Sequence, residues 1–272
     1  MELPEIMILA GQMEEELVGK RVVRVDVENV KCLNVPMEEF RAGALDKEIS
    51  YVRPRGKWVF IGLDPGHVLL FNTGMGADVV YFEDESRLPE KYHIKFLLDD
   101  GTGFTVRVWW FCYLHLVPED GLDGHKLTRD LGPSPLEDGF TLDHFRGLLR
   151  GRRGGVKSFL TNQRNVAGIG NVYIQDILFG AGVHPLRKIP TLTDADVEAL
   201  YDSMKAVLTE SLAHGGLTYE RDFYGRNGGY GKEQYRVAYR PGEACPACGA
   251  PIEKIRTGST SSFICPRCQP LG

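Results

Sequence analysis

The sequence predicts an α+β chain, with a strand-rich N-terminal half, a helical C-terminal half and a small four-cysteine ribbon. Three observations predict it. Short alternating runs crowd residues 20–120, the apolar period becomes helical after residue 139, and two paired cysteine knuckles close the chain. Its 272 residues suffice for two medium domains.

Residues 4–18 read as one helix. Arg21–Val27, Lys57–Leu63, His67–Phe71, Val79–Phe82 and His93–Leu98 read as strands. Asp100-Gly101 then turns the chain into Phe104–Phe111. Strands this closely spaced predict a sandwich or a barrel. At strand spacing, at least one of Trp109 and Trp110 is expected to face the core. Asp-Gly, Gly-Pro and Ser-Pro steps mark a loop-like boundary over residues 118–139. Domains are therefore expected at 1–120, 140–242 and 243–272, with a linker at 121–139.

Thr141 is placed to cap a helix over Leu142–Leu149, and a second is expected around Val156–Thr161. A third follows Gly168-Ile-Gly170, over Asn171–Phe179, and stops at Gly180 or Gly182. A fourth runs from Thr193 to His214, with Asp196 in capping-box position and Gly215-Gly216 as its stop.

Four of the six cysteines form Cys245-x2-Cys248-x16-Cys265-x2-Cys268. Each knuckle can turn two thiolates onto one ion, and two knuckles complete a tetrahedral shell. The spacing predicts a ribbon folded around one structural Zn2+. Two disulfides are the alternative. Met1-Glu2-Leu3-Pro4-Glu5 has neither the basic nor the apolar region of a signal peptide, so an oxidising compartment is not expected. Cys32 and Cys112 read as packing thiols.

No run of about 18 apolar residues occurs, so no membrane span is expected. The net charge of −5 argues mildly against a nucleic-acid partner, but its distribution reverses that reading. Between Phe145 and Pro190, eight basic residues face the single acid Asp176, a net of +7. From Arg221 to Cys268 the net is +4, so the remainder carries −16. A basic face on an acidic body fits DNA.

Glu2-Leu-Pro-Glu5, Lys57 after Arg53-Pro-Arg-Gly, Gly74-Met75-Gly76 and Leu131-Gly-Pro-Ser-Pro-Leu136 stand in order along the chain. So do Asn162-Gln-Arg-Asn-Val-Ala-Gly-Ile-Gly-Asn-Val-Tyr173, Gly182-Val-His-Pro185 and the ribbon. Together they resemble the formamidopyrimidine-DNA glycosylase / endonuclease VIII family over essentially the whole length. The resemblance implies an N-terminal β-sandwich, a C-terminal helix-two-turn-helix domain and a zinc finger, with DNA held in the cleft between the halves. It implies excision of oxidised bases and cleavage of the abasic site. There the N-terminal amine attacks C1′ of a flipped nucleotide, a Schiff base forms, and the neighbouring Glu2 serves as acid/base. By the same resemblance Lys57 contacts phosphate and Met75 is an apolar wedge filling the gap left by the extruded base. Lys157 and Arg164 are further phosphate contacts, and Tyr173 stands in the DNA-binding element. Asn171 is expected at a helix N-terminus whose backbone N–H groups suit a phosphate. The implied setting is a monomeric, cytoplasmic, nucleoid-associated prokaryotic protein.

The chain departs from the family at the chemistry. Met1 precedes Glu2 where the family has its catalytic proline, and Glu2 is too large for the initiator Met to be removed. The catalytic pair thus becomes the Met1 α-amine and Glu2. A primary amine can also form a Schiff base. Phe111 and Cys112 stand where the family has an invading Arg and Phe, Thr260 replaces a phosphate-binding Arg, and Asn72 replaces a His. The loop after Arg221-Asp222-Phe223, which covers the flipped base in part of the family, is short and Gly-rich. Two functions stay open. One is a glycosylase with lyase activity through Met1. The other is a silent paralogue that binds bent, abasic or single-stranded DNA. An RNA-binding ribbon protein is a more distant third, because the N-terminal half also matches.

Metal analysis is expected to return one zinc per chain. A chain that folds fully with no metal and no thiolate ligands would contradict the ribbon.

Overall fold

The computed structural model describes residues 1–28 and 31–271. By their contacts these fall into two units. Met1, Leu3–Asp130 and Gly215–Gly228 form the first, and Glu2, Leu131–His214 and Gly229–Gly272 form the second.

The first unit opens with α1 (Leu3–Leu17). Ile6, Leu9, Ala10, Met13 and Leu17 recur at three- and four-residue steps, and all are buried. Two antiparallel four-stranded sheets follow. One has the order β1 (Val22–Val27), β6 (Ile94–Leu98), β7 (Gly103–Arg107), β5 (Asp78–Phe82). The other has the order β2 (Glu48–Arg55), β3 (Trp58–Asp64), β4 (His67–Asn72), β8 (Tyr113–Pro118). Side chains from both sheets and from α1 share one core, including Val25, Phe96 and Phe104 from the first sheet and Ile49, Ile61 and Leu114 from the second. This is the sandwich rather than the barrel. The short helix α2 (Met37–Ala44) adds Phe40 to the same core.

Three elements escape the sequence pattern: α2 and two sheet edges. β2 carries Arg53, Pro54 and Arg55, and β8 ends on Pro118. Edge strands tolerate proline because their outward N–H groups need no partner. β7 stops at Arg107, so the predicted strand over Phe104–Phe111 is too long.

Residues 215–228, expected within the 140–242 domain, pack by their contacts with the first unit. Their anchors lie on α1. Glu5 Oε1 accepts from Leu217 N at 3.1 Å, Gln12 pairs with Asp222 Oδ2 and Phe223 N at 3.0 and 2.8 Å, and Glu16 accepts from Tyr224 Oη at 2.9 Å. Phe223 is fully buried in the sandwich core. The expected linker 121–139 divides as well. Residues up to Asp130 stay with the first unit, while Gly132 N donates to Gln163 O in the second at 2.9 Å.

The second unit contains α3 (Leu142–Leu149), α4 (Val156–Leu160), α5 (Tyr173–Gly180) and α6 (Asp194–Ala213). Thr141 caps α3, and Thr193 with Asp196 closes the predicted capping box of α6. Phe145, Leu160, Ile174, Ile177, Leu200, Met204 and Leu208 form a buried apolar interior. The hairpin of β9 (Glu253–Thr257) and β10 (Thr260–Ile264) completes the ribbon. Asp176 on α5 is buried and accepts from the backbone N–H groups of Arg236, Val237 and Ala238 at 3.0, 2.8 and 3.0 Å. The one acid of the basic segment therefore holds the strap that leads into the ribbon. Burial pushes its carboxyl above the usual range while those three donors pull it down.

Under Trp58, His115 Nδ1 lies 2.9 Å from His125 Nε2. Burial, and then the neighbouring His125, lowers the pKa of His115 to about 4, and burial lowers His125. The unfolded chain protonates these imidazoles near pH 6.5, so between there and about pH 4 it binds more protons than the folded one. Stability should therefore fall on acidification through that window. Thermal melts at about pH 7 and pH 5 are expected to differ by on the order of 5 °C, and by less in His115→Phe. An equal drop in both proteins would assign the dependence to other groups.

Candidate functional site

In the first unit, Lys57 occupies the two-residue Gly56-Lys57 turn between β2 and β3, not the start of a strand. Asn72 ends β4 and links two loops. Its Nδ2 donates to Lys57 O at 2.9 Å, and its Oδ1 accepts from Gly74 N at 2.9 Å. One amide thus fixes the Lys57 turn and the Gly74-Met75-Gly76 turn together. Met75 is 58% exposed, and its N donates to Trp110 O at 2.8 Å. Gly74 has φ +55, and a Cβ there would meet Trp110 O at 2.3 Å, so only glycine permits this approach.

The segment after β7 is a turn. Val108 and Cys112 are buried, whereas Trp109, Trp110 and Phe111 are 66%, 63% and 64% exposed. Phe111 has φ +58, a left-handed conformation that costs a bulky residue energy. The expectation that one tryptophan enters the core is therefore corrected. β7 ends at Arg107, so the alternation that would have buried one of them stops before it. At the N-terminus, the Met1 α-amine lies 3.0 Å from Glu220 Oε1, in the segment anchored to α1.

In the second unit, Glu2 is 6% exposed. Its Oε2 accepts from Gly170 N at 2.5 Å and its Oε1 from Val172 N at 3.0 Å. The backbone donors ahead of α5, expected to suit a phosphate, are thus given to a carboxylate of this chain. The helix-terminus chemistry stands, but the anion is internal.

Lys157, on α4, is buried. Its Nζ donates to Asn171 Oδ1 at 3.0 Å, Thr257 Oγ1 at 3.1 Å, Thr260 Oγ1 at 3.1 Å, Ser261 O at 2.9 Å and Ser262 Oγ at 2.9 Å. None of these five oxygens belongs to a carboxylate, and burial pushes the ammonium down to about 8. A cavity of about 350 Å3 adjoins it, lined by Lys157, Ser158, Lys188, Thr257 and Thr260 among others. Asn171 sits two residues before α5, and its Oδ1 also accepts from Gln175 Nε2 at 3.2 Å. Arg164 is exposed in the loop between α4 and α5. Tyr173 is corrected. Its side chain is 1% exposed, its hydroxyl meets Ser211 Oγ at 2.6 Å, and its ring packs on Tyr230. It supports α5 from within and offers no side chain to a ligand.

The four ribbon thiols converge, with all Sγ atoms within 4.8 Å of one another. Cys245 and Cys268 are 3.8 Å apart and Cys248 and Cys265 3.4 Å, and none of these four is in a disulfide. A zinc with bonds of about 2.3 Å places its sulfurs about 3.8 Å apart, so the residues fit one tetrahedral structural zinc. Gln269 fixes this knuckle, accepting from Cys265 N and donating to Val183 O at 3.1 and 3.0 Å.

Sequence reasoning missed Glu220, Thr257, Ser262 and Gln175. Glu220 shows locally only as an acid shortly after Gly215-Gly216. The two hydroxyls lie 100 and 105 residues from Lys157.

Three family profiles match the chain: the formamidopyrimidine-DNA glycosylase N-terminal domain over residues 1–107, its H2TH domain over 131–222, and a zinc finger found in FPG and IleRS over 242–271. The formamidopyrimidine-DNA glycosylase of Pelotomaculum thermopropionicum is 34% identical over 280 residues, covering 99% of both chains. That of Chloroflexus aggregans is 34% identical, covering 99% of this chain and 98% of its own. Among solved structures, the Lactococcus lactis Fpg bound to abasic-site DNA superposes with a TM-score of 0.88 at 26% identity, covering 99% of this chain and 100% of that one.

Tyr173→Phe is expected to cost about 1 kcal/mol of stability through the lost hydroxyl pair, with affinity for abasic DNA unchanged. A DNA-contacting hydroxyl would give the reverse, weaker binding at unchanged stability in urea melts.

Proposed function

The chain belongs to the formamidopyrimidine-DNA glycosylase family, and on that premise we propose that it repairs damaged or abasic DNA through the α-amine of Met1. It is a DNA-repair glycosylase of the kind that binds damaged and abasic DNA. The observation that carries the finer reading is the N-terminal amine itself. Its residue is packed with a 1% exposed side chain, and the nitrogen is held 3.0 Å from a carboxylate. A fixed amine is a better nucleophile than a mobile one because its orientation is set before the substrate arrives.

The target nucleotide leaves the stack, since C1′ is inaccessible within the duplex. The Met1 nitrogen then bonds to C1′, the damaged base departs, and the Schiff base permits strand cleavage by elimination. Glu2 assists as acid/base, oriented by the amides of Gly170 and Val172. Lys57 and Arg164 contact the phosphates, Lys157 and Asn171 hold the turn ahead of α5 against the ribbon hairpin, and Met75 fills the space the nucleotide vacates. The protein acts as a monomer in the cytoplasm. Among the described residues no helix is long and apolar enough to cross a membrane.

A second reading has its own support. The exposed Trp109, Trp110 and Phe111 offer stacking faces to unpaired bases, which suits a protein that holds single-stranded or abasic DNA without cutting it.

Borohydride trapping on abasic-site DNA separates the two. A covalent adduct on the peptide that starts at Met1 is expected, reduced about 10²-fold or more in Glu2→Gln. Tight, salt-sensitive binding with no adduct would sink the lyase reading and favour the binder.

A further inference from the structure

Glu2 is the acid that the sequence places beside the nucleophile, but both of its oxygens accept from backbone N–H groups ahead of α5. A second carboxylate meets the amine. Glu220 Oε1 lies 3.0 Å from the Met1 nitrogen, and its side chain is 15% exposed.

Glu220 is delivered there by a built segment. Gly216, at φ +82, lies against the Glu5 carboxylate, and Glu5 Oε1 holds Leu217 N at 3.1 Å. Glu220 N then closes a turn on Leu217 O at 3.1 Å, and Glu220 O accepts from Gly228 N at 3.4 Å. Asp222 ties the next turn, accepting from Tyr224 N at 3.0 Å and Arg226 N at 2.7 Å, while Gln12 holds its other oxygen. Each end of the segment is therefore fixed to α1, whose first residue follows Glu2 directly.

We infer that Glu220 is a catalytic residue, the proton acceptor for the Met1 amine when it attacks the sugar aldehyde of an abasic site. The inference rests on the Met1 reading above. In the step, the ammonium first loses a proton to solvent, its nitrogen lone pair then forms the bond to C1′, and the carbonyl π pair moves to oxygen. The nitrogen is then cationic with two protons. Glu220 takes one of them and passes it to the oxygen, leaving a neutral carbinolamine and a regenerated carboxylate. Solvent protonates the hydroxyl, water leaves, and the nitrogen lone pair completes the iminium. No oxidant, metal or further reactant is needed. A primary amine has this proton to lose and still becomes an iminium bearing a hydrogen. Glu220 therefore suits a Met1 nucleophile.

The test compares wild type, Glu220→Gln, Glu220→Ala and Glu220→Asp. Two reactions are followed by mass of the N-terminal peptide. One is borohydride trapping on abasic DNA, and the other is reductive trapping of glycolaldehyde without DNA. Affinity is read separately on duplex with an unreactive abasic analogue. Expected is a fall of about 10²-fold in both trapping rates for Gln and Ala, with analogue affinity unchanged. Asp should recover part of the rate, and added formate should recover Ala, which a merely structural side chain would not allow. Equal glycolaldehyde rates in wild type and Gln would overturn the inference, as would a slow Ala variant that formate leaves slow. If wild type traps glycolaldehyde at Met1 but never abasic DNA, the Met1 lyase reading fails instead, and Glu220 is still judged by the glycolaldehyde rates.

Discussion

A single buried ammonium organises the second unit. Lys157 has given up bulk water for five neutral oxygens, and its three protons must be shared among them. Uncompensated charge in such a place is costly, which is why burial drives the group toward neutrality. The arrangement persists because both strands of the ribbon hairpin supply acceptors at once. Thr260 is one of these acceptors, its hydroxyl receiving from Lys157 on α4. Gln175 works beside it, donating to Asn171 O and accepting from Phe263 N, so that α5 and β10 share one side chain.

The first two residues illustrate how little of such a site is local. Met1 and Glu2 are adjacent in the chain, yet their charged groups answer to partners more than 150 positions away, Glu220 for one and Gly170 with Val172 for the other. Each group is held within its own unit, the amine by a carboxylate and the carboxylate by two backbone N–H groups.

What the sequence disclosed follows from this. Interior strands such as β3 and β4 were legible because each is a short, nearly continuous apolar run buried along its length, and α6 because its caps are written in Thr193 and Asp196. The metal centre was legible because tetrahedral coordination fixes the spacing of Cys245, Cys248, Cys265 and Cys268. The edges β2 and β8 were missed because Arg53-Pro54-Arg55 in one and Pro118 closing the other read as breaks in a strand. The packing of residues 215–228 with the first unit was not legible because Glu5, Gln12 and Glu16 hold them through bonds spanning over 200 positions. Tyr173 was read from its place in a motif, which records that the residue is needed but not whether its side chain faces a ligand or the interior.

The turn at Trp109–Phe111 also governs what light reports about this protein. Of three tryptophans, only Trp58 is shielded, at 5% exposure, and it stacks on Tyr113. The other two already meet water in the folded state. Most of the intrinsic emission is therefore red-shifted before any unfolding begins. Tryptophan fluorescence is a weak thermometer for this fold and a sensitive contact sensor for whatever comes to rest on that one turn.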